Sequence, residues 1–438
     1  MIRHAIALAL TLLLFAGCAA QDPNAPILDL IELEQNAGAY HGLPVNSPLI
    51  SLEIQQQAFD NFLKEHFGPW ERTEPKHPAE EAFWGLAVYG NKKLYGENTL
   101  LRDPRWMRSM NEASRVEAYP SMGRRAIAVT NISMRVLPTN HPVFYDFKKA
   151  GEGFPFDYMQ NSLILAGTPL YASHVSADGA WILVESRFAF GWVPVREIAW
   201  VDDSFAKTYQ TGAYTTLTTD NVPVTDTQGN HCFIAHIGTL IPITSPTADN
   251  KNRAFVIPVR DHEGNAIAVR ARLPQGTTEP APIPATPAYF TRLANAMLGL
   301  QYGWGGLYEN RDCSATTMDL MAAFGIFLPR NSSQQIKFGT QTSLEGLNPD
   351  EKKERILETA VPFMTLVRKP GHIMLYIGSR DDEPIVLHSV WGVKTKVGDG
   401  YGRKIIGTTA ITTLEPGLEL DNLATTLLDS VYRISTLP

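Results

Sequence analysis

The sequence predicts a multidomain α+β protein that has an N-terminal helical region, two small β-barrels and a C-terminal α+β domain. At 438 residues the chain exceeds the usual size of one domain. Apolar residues recur at helical spacing near both ends of the chain, and short β-type runs separated by turns fill the middle. Hydrophobic residues make up 44% and charged residues 19%, which is typical of globular proteins. The net charge of −7 disfavours nonspecific binding to nucleic acid, so we expect no such partner.

The first residues have the pattern of an export signal. A short polar start precedes an apolar run over residues 5–16, which is too short to span a membrane stably. The run ends at Phe15-Ala16-Gly17-Cys18 and resembles a bacterial lipoprotein signal peptide over residues 1–18. That resemblance implies that Cys18 is lipidated and anchors the chain to a membrane, and an ordinary secretory signal is the alternative. Either signal predicts the cell envelope, lipid-anchored or secreted to the periplasm, and an outer-membrane lipoprotein fits as well.

Residues 19–123 are predicted to form an arm followed by a small helical region. The arm is polar and rich in proline, which indicates an extended tether. The first helix is expected to begin near Ser51 and to end at Gly68-Pro69. Its predicted apolar face consists of Ile54, Phe59, Phe62, Leu63 and Phe67. Two further helices are expected over residues 78–88 and 104–114, and the region is too small to carry a large core of its own.

Two successive barrels are predicted, over residues 124–203 and 204–274. The run GAWILVESRFAFGWVPVREI in the first resembles bacterial SH3 domains, and the resemblance of the second is weaker. We expect Trp181 and Trp192 to pack in the core, whereas Phe188 and Phe190 fit either a core or a glycan or peptide groove. Residues 275–287 are rich in proline and are predicted to be a semi-rigid linker.

The last predicted domain, residues 288–438, contains the chemically distinctive stretch Asp312-Cys313-Ser314. An apolar pattern over residues 318–327 predicts a helix, which places Asp312 or Cys313 near its N-cap. The unpaired N–H groups and the helix dipole there favour a thiolate. Besides Cys18 the chain has only Cys232 and Cys313, and no close histidine pair completes a tetrahedral zinc site with them. We interpret Cys232 as a buried apolar residue, although one disulfide remains the alternative.

Two histidines downstream are candidates for the base. His372 opens one apolar run and His388 lies in the next, and the turn over residues 379–384 joins the runs as an antiparallel pair. Such pairing brings the two histidines together. One imidazole then contacts the thiol, and the second orients the first through its other ring nitrogen.

Several motifs, taken together, resemble the NlpC-type cysteine peptidases, a papain-like family that cuts peptidoglycan stem peptides. The matching stretches are Tyr302-Gly303-Trp304-Gly305-Gly306, Asp312-Cys313-Ser314, residues 328–335, Gly371-His372 with residues 376–378, and Leu387-His388-Ser389. The resemblance implies a papain-like catalytic domain in which Cys313 is the nucleophile, His372 the base and His388 the orienting residue. It also implies that Tyr302 lies near the oxyanion position and that Asp312, Ser314 and Ser332 bind substrate. No metal or organic cofactor is implied.

The implied reaction is hydrolysis of the bond between γ-D-glutamate and the diamino acid, normally meso-diaminopimelate, through a thioester. A wall-binding protein with a dormant peptidase domain and a thiol acyltransferase are the alternatives. We expect a monomer whose barrels restrict the cleft, so that short stem peptides with a free N-terminus are preferred. Two features depart from the family pattern: Ala315 replaces a usual glycine, and residues 344–369 are longer and more charged than usual. This segment is interpreted as a surface helix, with a lid as the alternative.

Overall fold

The computed structural model describes residues 26–244 and 254–438. The predicted signal peptide and Cys18 lie outside these ranges. Within them, no helix has both the length and the apolar character needed to cross a membrane. Cys232 and Cys313 are free thiols, and Cys232 is half-buried rather than buried as predicted.

The N-terminal region is helical. Its helices are α1 (Asp29–Glu32), α2 (Leu52–Phe67), α3 (Ala79–Ala82), α4 (Trp84–Tyr89) and α5 (Pro104–Ser114). The Ser51 side chain caps α2 by accepting a hydrogen bond from the N–H of Ile54. Ile54 itself was wrongly placed on the apolar face, since 42% of it is exposed and Gln55 is buried instead. The aromatic residues of α2 pack against both barrels and against the helix Cys313–Ala323 of the C-terminal domain, so the region has no separate core, as predicted.

The first barrel is one seven-stranded sheet in the order β3-β2-β6-β5-β4-β1-β7. Its strands are β1 (Arg124–Ala128), β2 (Ile132–Arg135), β3 (Gln160–Ile164), β4 (Pro169–Val175), β5 (Trp181–Glu185), β6 (Phe190–Pro194) and β7 (Ile198–Trp200). Trp192 is fully buried, as predicted, and Trp181 is half-buried. The ring of Phe190 stacks on His77, with the two centroids 3.9 Å apart, so Phe190 packs against the helical region.

The second barrel follows helix α6 (Asp203–Tyr209) and consists of a four-stranded and a three-stranded sheet. Its strands are β8 (Tyr214–Leu217), β9 (Val222–Asp226), β10 (His231–Ala235), β11 (Leu240–Pro242), β12 (Phe255–Arg260), β13 (Ala266–Arg272) and β14 (Thr278–Pro280). Strand β14 pairs with β8, so part of the stretch predicted as a linker completes this barrel. The proline-rich sequence concealed the strand because proline lacks the N–H that a strand ladder uses, so such a stretch is not predicted as a strand.

The C-terminal domain is a six-stranded antiparallel sheet in the order β15-β20-β16-β17-β18-β19. Its helices are α7 (Pro287–Met297), α8 (Cys313–Ala323), α9 (Ser332–Gln335), α10 (Pro349–Thr359) and α11 (Leu427–Ser430). Its strands are β15 (Thr340–Ser343), β16 (Thr365–Lys369), β17 (His372–Arg380), β18 (Glu383–Val397), β19 (Gly400–Thr412) and β20 (Arg433–Thr436). One face of the sheet packs on α7 and α8, and the other packs on α10 and α11. Helix α10 therefore covers the back of the sheet and is no lid.

The N-terminal arm reaches across to the edge strand β19. The side-chain amide of Gln35 donates to the carbonyl of Ile411 at 3.0 Å and accepts from its N–H at 2.9 Å. The Asp29 carboxylate accepts from the N–H of Thr413 at 2.7 Å. The arm thereby fixes the backbone on either side of Thr412.

A buried ionic network joins the second barrel to the C-terminal domain. Arg311 donates to Asp319 at 2.7 Å and, with two nitrogens, to Asp220 of the second barrel at 2.7 and 2.9 Å. His236 lies 3.4 Å from Asp220 and 3.0 Å from Glu309. Because Arg311 immediately precedes Asp312, this network holds the start of α8 against the barrel.

Candidate active site

Cys313 occupies the first position of α8, five residues earlier than the apolar pattern indicated. Asp312 caps the helix, and its Oδ1 accepts from the N–H of Ala315 at 2.8 Å. The hydroxyl group of Thr316 donates to the carbonyl of Asp312 in the preceding turn at 2.9 Å. This helix start is fully enclosed, and Cys313 is itself buried.

Arg330 neutralises the carboxylate of Asp312. Its two terminal nitrogens lie 3.1 and 2.7 Å from the two carboxylate oxygens. The same carboxylate accepts from the N–H of Gly305 at 3.1 Å and from the hydroxyl of Ser314 at 3.1 Å. Arg330 in turn donates to Ser162 of the first barrel at 2.9 Å. With the bond from Ala315, five donors converge on Asp312.

The two histidines form a relay, as their spacing predicted. The Nε2 atom of His372, at the start of β17, lies 2.8 Å from the Nδ1 atom of His388 on β18. The Nε2 atom of His388 lies 3.0 Å from the hydroxyl oxygen of Thr412 on β19. That hydroxyl donates to the carbonyl of Thr413 at 2.7 Å. Three neighbouring strands thus hold one chain of polar groups.

Burial sets the charge state of the pair formed by Cys313 and His372. Burial, reinforced by the negative charge of Asp312, raises the pKa of the Cys313 thiol to about 11, while the N–H of Ile373 opposes the shift. Burial also lowers the pKa of His372 well below its usual value, and His388, Lys369 and Arg368 add to that. The resting site therefore holds a neutral thiol and a neutral imidazole, which corrects the expectation that the helix start favours a thiolate.

Four aromatic side chains lie together beside Cys313. Tyr302 lies with its ring centroid 5.9 Å from that of Trp391, and Phe156 of the first barrel lies 5.9 Å from Trp391 and 5.2 Å from Trp304. Burial and the nearby Asp312 and Cys313 raise the pKa of Tyr302, so its phenol stays neutral. Phe156 thus brings a side chain of the first barrel into contact with the aromatic residues of the C-terminal domain, and the restriction of the cleft by the barrels stays a prediction.

Glycines allow this close approach. Gly305 has a φ of 61°, and a Cβ atom there would lie 2.6 Å from the carbonyl oxygen of Gln160 in β3. The side chain of Gln160 donates to the carbonyl of Gly305 at 3.1 Å. The predicted glycine-rich motif is therefore the contact between the C-terminal domain and the first barrel.

Four family models match the chain in the predicted order. They are the NLPC_P60 stabilising domain, N term, over residues 7–119, the SH3 domain (SH3b1 type) over 142–194, the SH3 domain of SH3b2 type over 202–248, and the NlpC/P60 family over 299–401. Residues 299–401 form an NlpC/P60 family domain. This confirms the predicted class of cysteine peptidase, the two SH3b domains and a function on peptidoglycan outside the cytoplasm.

One solved structure of high similarity agrees with the NlpC/P60 assignment. An NlpC/P60 endopeptidase from Photobacterium damselae subsp. piscicida is 26% identical, with a TM-score of 0.84 over 94% of this chain and 98% of that chain. An NlpC/P60 family protein from Bacillus cereus ATCC 10987 is 17% identical, with a TM-score of 0.43 over 64% of this chain and 82% of that chain. No curated protein matches the chain.

The structure brings His372 against His388, and it places Cys313 beside Tyr302 and the N–H of Ile373, which follows His372. Asp312 and Ser314 have a further role that the resemblance did not imply. Five donors already occupy the Asp312 carboxylate, and the buried Ser314 hydroxyl accepts from Arg330 at 2.8 Å. Both residues are buried and hydrogen-bonded within the protein, so we assign both to the support of the nucleophile, and a substrate contact by either one stays a prediction. Ser332 begins α9, is half-buried, and its substrate contact stays a prediction.

Three residues of the NlpC/P60 site were missed at the level of sequence: Arg330, Thr412 and Phe156. Arg330 lies in the motif of residues 328–335, where a single arginine among polar residues was a signal that could have identified it. In the same motif Gln335 donates to the carbonyl of Ser314 at 2.8 Å and accepts from Thr317 at 2.8 Å, which locks the motif to α8. Thr412 and Phe156 lie in stretches without a motif.

Proposed function

We propose that the chain is a cell-envelope cysteine endopeptidase that hydrolyses the γ-D-glutamyl–diamino acid bond of peptidoglycan stem peptides. The diamino acid is meso-diaminopimelate in this proposal. The observation that carries it is the polar relay of His372, His388 and Thr412 beside a cysteine at a helix start, in a chain with an NlpC/P60 family domain. No organic cofactor or metal enters the proposed reaction.

The relay defines a tautomer. The Thr412 hydroxyl has one hydrogen and donates it to Thr413, so it accepts from His388 Nε2. His388 Nδ1 then carries no hydrogen and accepts from His372 Nε2. His372 Nδ1 is left as a lone pair, the form that a general base requires. Thr412 therefore supports the proposed base His372 indirectly, through its contact with His388.

In the proposed reaction His372 removes the thiol proton as the Cys313 sulfur attacks the carbonyl carbon of the substrate amide. The amide C–N bond breaks, the leaving amine takes the proton from His372, and a thioester remains. Water, deprotonated by the same histidine, then attacks the thioester and releases the carboxylate and the thiol. The Tyr302 phenol stays neutral and is proposed to donate a hydrogen bond to the developing oxyanion.

The cellular setting is proposed from the first residues. Cys18 lies at the end of a signal-like run and is proposed to carry a lipid that tethers a monomeric chain to the membrane. The proline-rich segment after Cys18 then spaces the domains from the bilayer. Metabolic labelling with a palmitate analogue, compared between the parent protein and Cys18→Ala, tests this: loss of label supports the anchor, and unchanged label contradicts it.

Digestion of defined muropeptides tests the reaction. The parent protein is expected to release products with new γ-D-glutamate C-termini and diamino acid N-termini, measured by mass spectrometry. Cys313→Ala is the matched control and should release none. Products cut at another bond, or transfer to an added amine in place of hydrolysis, would contradict the proposed specificity. Absence of cleavage together with binding to sacculi would favour the wall-binding alternative.

A further inference from the structure

Four cationic side chains lie together beside the nucleophile: Arg368 and Lys369 at the end of β16, Lys394 on β18 and Arg403 on β19. We call them the basic cluster. Burial lowers the pKa of Lys369, and the charges of Arg368, Arg403 and Lys394 lower it further. Lys369 is the direct cross-strand partner of His372 on β17, and Arg368 donates to the backbone carbonyl of His372 at 2.8 Å. These contacts place the cluster at the proposed base.

The cluster lacks a counter-charge. Among the ion pairs of residues 26–244 and 254–438, none includes a member of the cluster. Arg368 is only 6% exposed, and its Nε atom is buried without a hydrogen-bond partner. Its Nη1 atom donates to the backbone carbonyl of His372 at 2.8 Å, so the guanidinium lies against the backbone of the proposed base.

The strands even place like charges opposite each other. Lys394 and Arg403 are directly paired across β18 and β19, an arrangement that destabilises a sheet. The Lys394 ammonium lies 3.5 Å from the ring centroid of Tyr401, which compensates in part. Burial lowers the pKa of Arg403 as well, since water reaches it poorly. Uncompensated cations in a partly dry cleft are costly unless a ligand supplies negative charge.

We infer that the basic cluster is a subsite for the carboxylate groups that flank the scissile amide of the substrate. The inference rests on the proposed function and names the substrate class: short peptides that carry free carboxylates next to the cleaved bond. Stem peptides have such groups on D-glutamate and on the diamino acid. Peptides in which these carboxylates are amidated should therefore be poor substrates. Guanidinium groups such as those of Arg368 and Arg403 match a carboxylate in geometry and charge.

A test that needs no peptide compares two alkylating reagents on Cys313, in a Cys232→Ser background. Iodoacetate is an anion and iodoacetamide is neutral. Each forms the same sulfur–carbon bond, with loss of iodide and of the thiol proton. The ratio of their rates cancels changes in thiol reactivity and reports the local attraction of anions. Relative to glutathione at the same pH, we expect the ratio at Cys313 to be about tenfold higher.

Two variants and a matched control make the test specific. Lys369→Met and Arg403→Gln should each lower the ratio about threefold. Lys396→Met removes an exposed lysine from the same strand as Lys394 and should leave it unchanged. Salt should reduce the parent ratio toward that of the variants. A parent ratio equal to that of glutathione, or one that the two variants do not lower, would overturn the inference.

A second arm uses tripeptides with γ-D-glutamate and the diamino acid as free acids, or with either α-carboxylate amidated. The free acid should show at least tenfold higher kcat/KM, and Arg403→Gln should reduce that preference. The α-carboxylate whose amidation costs more identifies the group that the cluster holds. Cleavage of all peptides at equal rates would refute the carboxylate subsite and would leave the proposed peptidase activity supported. A high alkylation ratio without any cleavage would leave the subsite and reject the proposed function.

Discussion

His372 and His388 are joined by a ring-to-ring contact of 2.8 Å, and the far nitrogen of His388 lies 3.0 Å from the hydroxyl of Thr412. The relay therefore ends on a neutral hydroxyl and a backbone carbonyl, without a carboxylate. A neutral end point leaves the imidazole of His372 uncharged at rest, in agreement with its lowered pKa. The base gains its charge only when it takes the proton of the thiol.

Thr412→Val should lower kcat/KM about tenfold or more, because His388 loses the acceptor that fixes its tautomer. Thr412→Ser keeps the hydroxyl and should restore most of the activity. Thermal unfolding of both variants checks that the fold is retained. Equal activity of the valine and serine variants would show that the hydroxyl has no part in the relay.

The pH dependence of Cys313 alkylation follows from the two shifted pKa values. With the pKa of the thiol raised to about 11, the rate with iodoacetamide should climb through neutral pH without a plateau. Because the pKa of His372 is lowered, the peptidase should remain active below pH 6.5 and lose activity only when that imidazole is protonated. A Cys232→Ser background restricts the measurement to Cys313. A rate plateau between pH 5 and pH 8 would reveal a preformed thiolate and contradict the expectation.

Asp312→Asn should destabilise the protein by about 3 kcal/mol, because it leaves the buried guanidinium of Arg330 without its charge partner. Burial raises the pKa of Asp312, but Arg330 outweighs it and the pKa is lowered overall. The contribution of this pair is therefore present above the unfolded pKa and lost as pH falls through the folded one. Urea unfolding measures both effects. Asp399→Asn, at the exposed hairpin tip, is the control and should change little.

His236→Gln tests the network between the second barrel and the catalytic domain. Burial lowers the pKa of His236, yet hydrogen bonds to Asp220 and Glu309 leave it raised, against the opposing charge of Arg311. Its stabilising effect is thus complete below pH 6.5 and is lost as pH rises through the raised value. The parent midpoint of urea unfolding should fall over that window, and the variant should show a flatter profile. His262→Gln, whose side chain is 91% exposed, should keep the parent profile.

Free stem tripeptides should be cleaved at least tenfold faster than insoluble sacculi, because Phe156 of the first barrel narrows the cleft at Trp304 and Trp391. Phe156→Ala should raise cleavage of sacculi relative to the tripeptide. Phe154→Ala is a suitable control, since Phe154 is 62% exposed two residues away. Equal rates of the parent protein on both substrates would refute the restriction.

Local patterns sufficed for the elements whose burial is periodic. In helix α7, Phe290, Leu293 and Met297 recur at helical spacing in the sequence, and all three are buried. The start of helix α8 was predicted wrongly because all residues of this helix are buried, so its first turn shows no apolar periodicity. The Asp312 cap and the Thr316 hydroxyl, which donates to the carbonyl of Asp312, set the start of the helix.

Contacts between distant stretches set the rest of the site. Thr412 reaches His388 across a hairpin whose strands are 15 and 13 residues long, and no local signal fixes that register. Arg330 reaches Asp312 from 18 residues away, in a segment that Gln335 ties to α8. The five donors at Asp312 indicate a supporting role for its carboxylate that no local pattern showed.

The Gln35 side chain makes the same pair of bonds with Ile411 that a neighbouring strand would make. Strand β19 is the last strand of its sheet, and an unpaired outer strand is a template on which other chains add. Residues 299–302 pair with this strand at Gly407 and Thr409, and beyond them the Gln35 amide ends the ladder at Ile411. Removing residues 26–45 should therefore expose unpaired backbone groups of β19. The truncated chain should then associate through this edge strand, whereas the intact protein should remain monomeric.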